Sequence, residues 1–207
     1  MTMHPAVAVL LAYALGSIPA AYIAGRSRGI DLRKHGSGNL GATNVFRVLG
    51  AKVGIAVFLF DMAKGALPVL LFPQWTTAPW GLTSPLAMPI ACGIAAIAGH
   101  VRPVFLKFGK GGKGVATAAG VFLGLAPIPA IIALVTFAAV LLASGYVSLG
   151  SLTAATILPI AVYLTSGVSP LLFLSIGLAA FVFWTHRANI GRLRRGEEHR
   201  FGRKPAG

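Results

Sequence analysis

Six long apolar segments constrain the fold of this chain more than any other feature of its sequence. Most of them approach the roughly 20 residues that a helix needs to cross a bilayer. They cover Pro5–Gly25, Val53–Phe72, Leu86–Gly99, Val115–Ala143, Val147–Thr165 and Pro170–Thr185. Since 56% of the 207 residues are hydrophobic and only 11% are charged, a soluble domain could not bury this much apolar surface. The sequence therefore predicts an all-α integral membrane protein.

The positive charges predict the side of the membrane on which each connection lies. Lys and Arg are concentrated in Arg26–Lys52, in Arg102–Lys113 and after Arg187, whereas Pro73–Pro85 contains none. Because basic connections stay on the cytoplasmic side, we expect all three basic stretches to be cytoplasmic. The first apolar segment then starts outside, which places the N-terminus outside.

The number of crossings depends on the longest apolar segment, Val115–Ala143. A cytoplasmic C-terminus requires an even number of crossings after the second basic stretch, but only three apolar segments follow it. Pro127 and Pro129 interrupt the longest one, and proline breaks a helix by removing a donor. A split there predicts a bundle of about seven transmembrane helices. Without the split Val147–Thr165 would be re-entrant, so a count between five and seven stays open.

The net charge of +14 would suggest nucleic acid in a soluble protein, but here the cations crowd into the connections. No aromatic stacking platform accompanies them, so we expect anionic membrane lipid and no nucleic acid as the partner. Cys92 is the single cysteine and excludes an internal disulfide. No set of Cys, His and carboxylate residues has the spacing of a metal site, so we expect no metal and no cofactor.

The first polar cluster (Gly36–Arg47) lies between two apolar segments and is too rich in polar residues for a simple connection. Its glycines let backbone amides approach an anion, and Arg47 offers a planar fork suited to phosphate. Ser37 has no carboxylate placed to complete a triad, so we interpret it as a hydrogen-bonding ligand rather than a nucleophile. The other candidate phosphate or substrate ligands here are Gly36, Gly38, Asn39, Thr43 and Asn44.

The second polar cluster (Gly99–Thr117) contains a Gly-Lys loop directly before a helical pattern. Backbone amides, lysines and a helix N-terminus together are a way to hold phosphate, although the Walker A spacing is absent. A flexible basic loop is the alternative. The candidate ligands are Lys107, Lys110, Gly111, Gly112, Lys113 and Gly114.

The third polar cluster (His186–Glu197) places His186 and Asn189 on one helical face, where both could contact the same ligand. His186 could act as a base or as a cationic phosphate ligand. We interpret Glu197 as a structural partner of the neighbouring arginines. Asp61 and Lys64, three residues apart in an apolar segment, are interpreted as a structural pair.

We predict that the three clusters meet on the cytoplasmic face and form one phosphate-handling active site. Residues 1–193 would then be a single transmembrane domain, and residues 194–207 a loose basic cytoplasmic tail.

The three clusters together resemble the bacterial acyl-phosphate:glycerol-3-phosphate acyltransferase family, PlsY. The resemblance covers essentially the whole chain. Its motifs are Gly36-Ser37-Gly38-Asn39-x-Gly41-Ala42-Thr43-Asn44-x-x-Arg47, Asp61-x-x-Lys64-Gly65, Gly99-His100 with Pro103-Val104-Phe105, Gly111-Gly112-Lys113-Gly114-Val115-Ala116-Thr117, and His186-x-x-Asn189-Ile190-x-Arg192-Leu193 followed by Gly196 and Glu197. One residue more than the family pattern separates Phe108 from the Gly-Gly-Lys-Gly core, which leaves open which lysine faces phosphate.

The resemblance implies transfer of an acyl group from acyl phosphate to the sn-1 hydroxyl of glycerol 3-phosphate. The products would be 1-acylglycerol 3-phosphate (lysophosphatidic acid) and inorganic phosphate, in phospholipid biosynthesis. It implies a multi-pass enzyme of the bacterial inner membrane, functionally linked to the enzyme that makes acyl phosphate. The site residues with catalytic roles would be Ser37, Arg47, His186 and Asn189.

Two other classes of protein remain as alternatives from the residues alone. A transporter or channel for an anionic metabolite would use the same basic loops and intramembrane charge pair. Neither an inverted repeat nor a central ion path is evident in the sequence. A structural or regulatory membrane protein would bind anionic lipid through its basic tail.

Overall fold

The computed structural model describes residues 3–77 and 84–201, and over these ranges it is helical, with one isolated bridge between Met3 and Thr76. In the described residues, three short 3-10 turns join longer helices, at Leu32–Lys34, Phe72–Trp75 and Val104–Leu106. The α-helices of the described residues are α1 (Pro5–Gly16), α2 (Ala20–Arg26), α3 (Ala42–Leu49), α4 (Ala51–Leu71), α5 (Ala87–Val101), α6 (Val115–Leu125), α7 (Pro127–Ser144), α8 (Val147–Ser166), α9 (Pro170–Thr185) and α10 (Arg187–Arg194). The all-α architecture expected from the sequence is confirmed over this part of the chain.

Five helical stretches of the described residues are long and apolar enough to cross a membrane. They are Pro5–Arg26, Ala51–Trp75, Ala87–Leu106, Pro127–Ser144 and Val147–Ser166. A sixth span results if α9 and α10, which are bent by 60° at their junction, are counted as one. Helix α6 has 11 residues and is therefore about 16 Å long, shorter than a bilayer core. The count of about seven spans and the orientation of the termini stay predictions.

The proline break predicted within Val115–Ala143 is present. Helix α6 ends at Leu125, α7 begins at Pro127, and Ala126 between them has the non-helical angles φ −150° and ψ 76°. Pro127 occupies the first helical position, where its missing N–H costs no helical hydrogen bond. The local signal of proline was therefore sufficient to locate this helix boundary.

The chain divides into two compact units, the first from Met1 to Leu125 and the second from Ala126 to Gly207. In the first unit, helices approach closely at small residues. A Cβ on Gly16 would overlap the carbonyl of Ala96 on α5, and a Cβ on Gly120 would overlap the carbonyl of Met62 on α4. These contacts bring α1 against α5 and α4 against α6, as small residues do in membrane bundles.

In the second unit, α8 packs between α7 and α9, and the chain after α10 returns to the start of α8. The backbone N–H of Phe201 donates to the carbonyl of Gly145, which forms the left-handed turn between α7 and α8. In the segment expected to be a loose tail, hydrogen bonds of Glu198, Arg200 and Phe201 join the chain to residues 145–148, although most of its residues are exposed. The expectation of one domain over residues 1–193 stays a prediction, and residues 78–83 of the uncharged loop lie outside the described part.

Candidate functional site

Asn44 shapes the loop of the first polar cluster from inside. Its side chain is 1% exposed. The Oδ1 atom accepts from the Ser37 amide at 2.9 Å, and Nδ2 donates to the carbonyls of Leu32 and His35 at 3.2 and 3.1 Å. Gly36, at φ +60°, lies so close that a Cβ there would overlap Oδ1. Both side-chain atoms of the Asn44 amide thus bind backbone groups of the loop, and the substrate contact expected for Asn44 stays a prediction.

The first cluster leads into the N-terminus of α3. Gly41 is the N-cap, and the first backbone bonds of the helix run from Asn44 and Val45 to its carbonyl. The backbone N–H groups of the helical residues before Asn44 have no partner within the helix and point out of its N-terminal end, where they favour an anion. Arg47 is exposed and follows Thr43 by one helical turn, so the two share a face of α3. Ser37 is exposed at the loop surface, and Gly38 and Asn39 are half-buried beside it.

The turn before this loop is held by a surface ion pair. Asp31 Oδ2 lies 2.7 Å from Arg33 Nη2, and Asp31 Oδ1 also accepts from the Arg33 amide. The hydrogen bond from the Arg33 side chain holds the pKa of the Asp31 carboxyl well below its usual range. Because solvent screens this pair, its role is to fix the turn rather than to add much stability.

The loop of the second cluster folds back onto the end of α5. Lys107 and Phe108 adopt positive φ angles of 53° and 57°, which reverse the chain. The Gly111 amide then donates to the carbonyl of Val101 at 3.0 Å, and the Gly112 amide to that of His100 at 3.2 Å. A Cβ on Gly111 would overlap the His100 carbonyl, and one on Gly112 would overlap His100 Nε2. Glycine is required here because the loop lies directly on His100.

Lys113 is the lysine best placed for an anion among the three that the sequence left open. It is half-buried and immediately precedes Gly114, which is buried at φ +81° and accepts the first α6 bond from Ala118. Lys107 and Lys110 are exposed on the outer part of the loop. The amides of the first turn of α6 and the Lys113 ammonium are the kind of groups that bind an anion at a helix start, and such binding here stays a prediction.

The first and second clusters lie over one hydrophobic cluster in the first unit. Leu106, from the second cluster, packs against the buried group that contains Leu32, Leu40 and Val45. The Tyr13 hydroxyl of α1 donates to the carbonyl of Arg102 and so anchors the start of the second cluster to α1. The two glycine-rich loops are thus supported at the same end of this unit.

In the second unit, His186 occupies the junction between α9 and α10 and is 4% exposed. Its Nδ1 lies 2.8 Å from the carbonyl of Val182. A carbonyl oxygen can only accept, so Nδ1 carries a proton and Nε2 is the nitrogen that can gain or lose one. Asn189, also buried, donates from Nδ2 to Glu198 at 2.6 Å.

Glu198 organises the third cluster, and sequence reasoning missed it. Its side chain is 7% exposed and accepts hydrogen bonds from Ser148 at 2.9 Å, Asn189 at 2.6 Å and Arg192 at 2.6 Å. Glu197, the acid named from the sequence, lies on the surface and pairs with Arg195 at 2.7 Å. Adjacent glutamates carry the same local signal, and only the return of the chain to α8 separates them.

Burial alone would raise the pKa of the Glu198 carboxyl. The hydrogen bonds from Arg192, Asn189 and Ser148 outweigh burial and hold that pKa below its ordinary value of 4.5. A carboxyl whose pKa is lowered by folding stabilises the folded state above its unfolded pKa, and this stability is lost as the pH falls through the folded pKa.

Glu198→Gln is expected to lower the free energy of unfolding at pH 7 by about 1–3 kcal/mol, because it removes a hydrogen-bonded charge. Thermal unfolding in detergent from pH 3 to pH 8 measures this. The difference from wild type should shrink as the pH falls below about 4.5. Glu197→Gln is the matched control, and its exposed pair should contribute at most about 1 kcal/mol. Equal effects of both changes would contradict the role given to Glu198.

Asp61 and Lys64 form the buried pair that their spacing predicts, with 2.7 Å between Asp61 Oδ1 and Lys64 Nζ and 2% exposure of each side chain. Within residues 3–77 and 84–201, no group of three His, Cys, Asp or Glu side chains is placed to hold a metal ion. Asp61 and His100 meet as a pair only.

Comparison with known proteins gives one consistent result. A family model described as glycerol-3-phosphate acyltransferase matches residues 6–196, which include the first two polar clusters and most of the third. The chain is 46% identical over 197 residues to a glycerol-3-phosphate acyltransferase of Geotalea daltonii, covering 95% of this chain and 97% of the relative. It is 52% identical over 190 residues to one of Geobacter metallireducens, covering 92% and 94%.

Two solved structures are also similar. Both are of PlsY, an integral membrane glycerol 3-phosphate acyltransferase. The glycerol 3-phosphate form has a TM-score of 0.86 at 40% identity and covers 96% of each chain. The lysophosphatidic acid form has a TM-score of 0.83 at 39% identity and covers 96% of this chain and 95% of the other. With its helices, its glycine-rich loops and this similarity over nearly its whole length, the chain belongs to the PlsY family of integral membrane glycerol-3-phosphate acyltransferases.

Proposed function

We propose that this protein transfers the acyl group of an acyl phosphate to the sn-1 hydroxyl of glycerol 3-phosphate. One observation carries the proposal. In the first unit, two glycine-rich loops each lead into a helix N-terminus, with Arg47 on one helix and Lys113 before the other. Two anion-binding helix ends suit a reaction in which both substrates carry phosphate. The substrate and product named for the similar PlsY structures, glycerol 3-phosphate and lysophosphatidic acid, support the acceptor and the product.

In the proposed reaction, the sn-1 oxygen of glycerol 3-phosphate attacks the carbonyl carbon of the acyl phosphate. A new ester C–O bond forms, the bond from the carbonyl carbon to the phosphate oxygen breaks, and inorganic phosphate leaves. Arg47 and the Lys113 loop bind phosphate, and Ser37, Asn39, His186 and Asn189 orient the substrates. An acyl phosphate is already activated, so positioning and charge neutralisation account for most of the required rate increase.

The proton of the acceptor hydroxyl passes either to a phosphate oxygen of the substrate or to His186 Nε2. We favour the substrate oxygen, because the three clusters hold few carboxylates that could act as a base. That all three clusters serve this one reaction stays a prediction.

His186→Gln distinguishes the two bases, since glutamine retains a donor but cannot take up a proton at neutral pH. If the substrate is the base, we expect kcat to fall with the shape of the pH–rate profile unchanged. Initial rates between pH 5 and 9, with both substrates saturating, measure this. Loss of a limb that the wild-type profile shows would assign the base to His186.

The proposed function itself is tested by phosphate release from the purified protein. Acyl phosphate and glycerol 3-phosphate together should release phosphate and form lysophosphatidic acid in equal amounts. Glycerol is the matched control acceptor, because it has the hydroxyl without the phosphate. Phosphate release that does not depend on glycerol 3-phosphate would indicate hydrolysis and contradict the proposal.

We place this activity in the inner membrane of a bacterium, with membrane lipid around the apolar helices and a separate enzyme supplying the acyl phosphate. The transporter alternative relied on Asp61 and Lys64. Both are buried and pair with each other, which suits a fixed structural pair better than an ion pathway.

A further inference from the structure

Asp61 and Lys64 each have a further polar neighbour besides each other. The Lys64 ammonium also donates to the carbonyl of Ile18 at 2.9 Å, at the break between α1 and α2. On the other side, Asp61 Oδ1 lies 3.5 Å from His100 Nδ1. Asp61 is therefore fixed by α4 and faces the last turn of α5.

The His100 ring lies between this carboxylate and the loop of the second polar cluster. The residue is 5% exposed, and its Nδ1 makes no hydrogen bond among the described residues, although the Asp61 carboxylate lies 3.5 Å from it. The opposite nitrogen, Nε2, lies where a Cβ of Gly112 would be. The backbone of His100 also accepts from the Gly112 amide. Any rotation of the ring would move it into or away from Gly112.

We propose that His100 is a positioning residue for glycerol 3-phosphate. Asp61 holds the His100 ring in place, and this ring sets the position of the loop Gly111–Lys113. The inference rests on the proposed function, because it takes this loop as the binding site of the acceptor phosphate. His100 does not touch the substrate in this proposal. It acts through the backbone of Gly112.

Electrostatics explains how a buried carboxylate such as Asp61 can fix the position of the His100 ring. An unpaired charge in an apolar interior is costly, so Asp61 orients the nearest available donors toward itself. Lys64 Nζ lies 2.7 Å from Asp61 Oδ1, and His100 Nδ1 lies 3.5 Å from the same oxygen. A buried pair of this kind adds little net stability compared with apolar residues, and its benefit is a defined geometry. The fixed His100 ring in turn limits the positions open to the loop, whose glycines have no side chains to hold them in place.

Variants of both residues test the inference. His100→Asn keeps an amide near the Nδ1 position and removes the ring from Gly112, whereas His100→Gln reaches toward the Nε2 position and loses the contact with Asp61. Asp61→Asn removes the charge that orients the ring. Cys92→Ala, in the buried face of the same helix α5, is the matched control for loosened packing.

The measurement is initial rates at varied glycerol 3-phosphate and at varied acyl phosphate. We expect His100→Gln, His100→Asn and Asp61→Asn to raise the KM for glycerol 3-phosphate about tenfold or more, with a smaller change in the KM for acyl phosphate. The double variant of Asp61→Asn and His100→Gln should be no worse than the poorer single variant, because both act through one contact. Cys92→Ala should leave both KM values near wild type.

Hydrogen exchange supplies a readout that does not depend on activity. In the same three variants, amides of residues 109–116 should exchange faster while those of the middle of α5 stay protected. An unchanged KM for glycerol 3-phosphate in the His100 variants, or a general loss of protection along α5, would overturn the inference. If wild type shows no transfer to glycerol 3-phosphate, the proposed function fails, and exchange in the loop still decides whether His100 positions it.

Discussion

A protein with Arg47→Lys is expected to stay folded and to lose kcat by about tenfold or more. Lysine keeps the positive charge but replaces a planar fork of two parallel donors by a single ammonium group. Arg47 is exposed in the last turn of α3 and shares a face with Thr43, which lies in the first turn, where the Ser37 loop enters the helix. Its two-pronged contact should matter most when charge moves onto the leaving phosphate, so the loss should appear in kcat rather than in KM.

Steady-state kinetics with each substrate varied in turn measures this separation. Arg28→Lys, an equivalent change at an exposed arginine outside the polar clusters of the first unit, is the control and should behave as wild type. A near-wild-type kcat for Arg47→Lys would contradict the phosphate-binding role of the first cluster. Arg47 would then be only a positive charge that directs membrane insertion.

Gly112→Ala is expected to reduce kcat/KM for glycerol 3-phosphate by about tenfold or more, mainly through KM. The change adds one methyl group and alters no charge. Its Cβ would overlap His100 Nε2, so either the ring or the loop must move. Overpacking a buried contact in this way costs about 1–3 kcal/mol, which is enough to displace a loop that binds by its backbone.

A matched glycine is available in the second unit. Gly177 lies within α9, and a Cβ there would meet no atom within 4 Å. Gly177→Ala should therefore leave the kinetics unchanged and slightly raise the thermal stability, since alanine favours a helix. If Gly112→Ala and Gly177→Ala gave the same kinetics, the second polar cluster would be a turn and not a binding loop.

The helices could be predicted from the sequence because their signals are local. Apolar length and proline define most helix boundaries, and the break before Pro127 needs no knowledge of the rest of the fold. The length of α6 was harder to predict, since a short apolar helix and half of a long one look alike in sequence. The sequence thus predicts where helices end more reliably than which of them cross the membrane.

The candidate site was predicted as a set of residues but not as a set of contacts. The sequence predicts Asn44 as a polar ligand of the first cluster, and the carbonyls that bind its Nδ2 belong to Leu32 and His35, well before it in the chain. The glycines of the second cluster were explained by access for an anion, whereas Gly112 also has to make room for His100. Such contacts join distant residues, and no local pattern reports them.

The return of the chain to α8 has a consequence for the order in which this protein is synthesised. All ten described helices precede Glu198, and its partner Ser148 lies 50 residues earlier. During translation, the buried hydroxyl of Ser148, the amide of Asn189 and the guanidinium of Arg192 are therefore all made before the carboxylate that joins them. Until Glu198 is made, the helices of the second unit lack the carboxylate that accepts these three hydrogen bonds. Completion of these hydrogen bonds should therefore be a late event, after the helices of the second unit have been made.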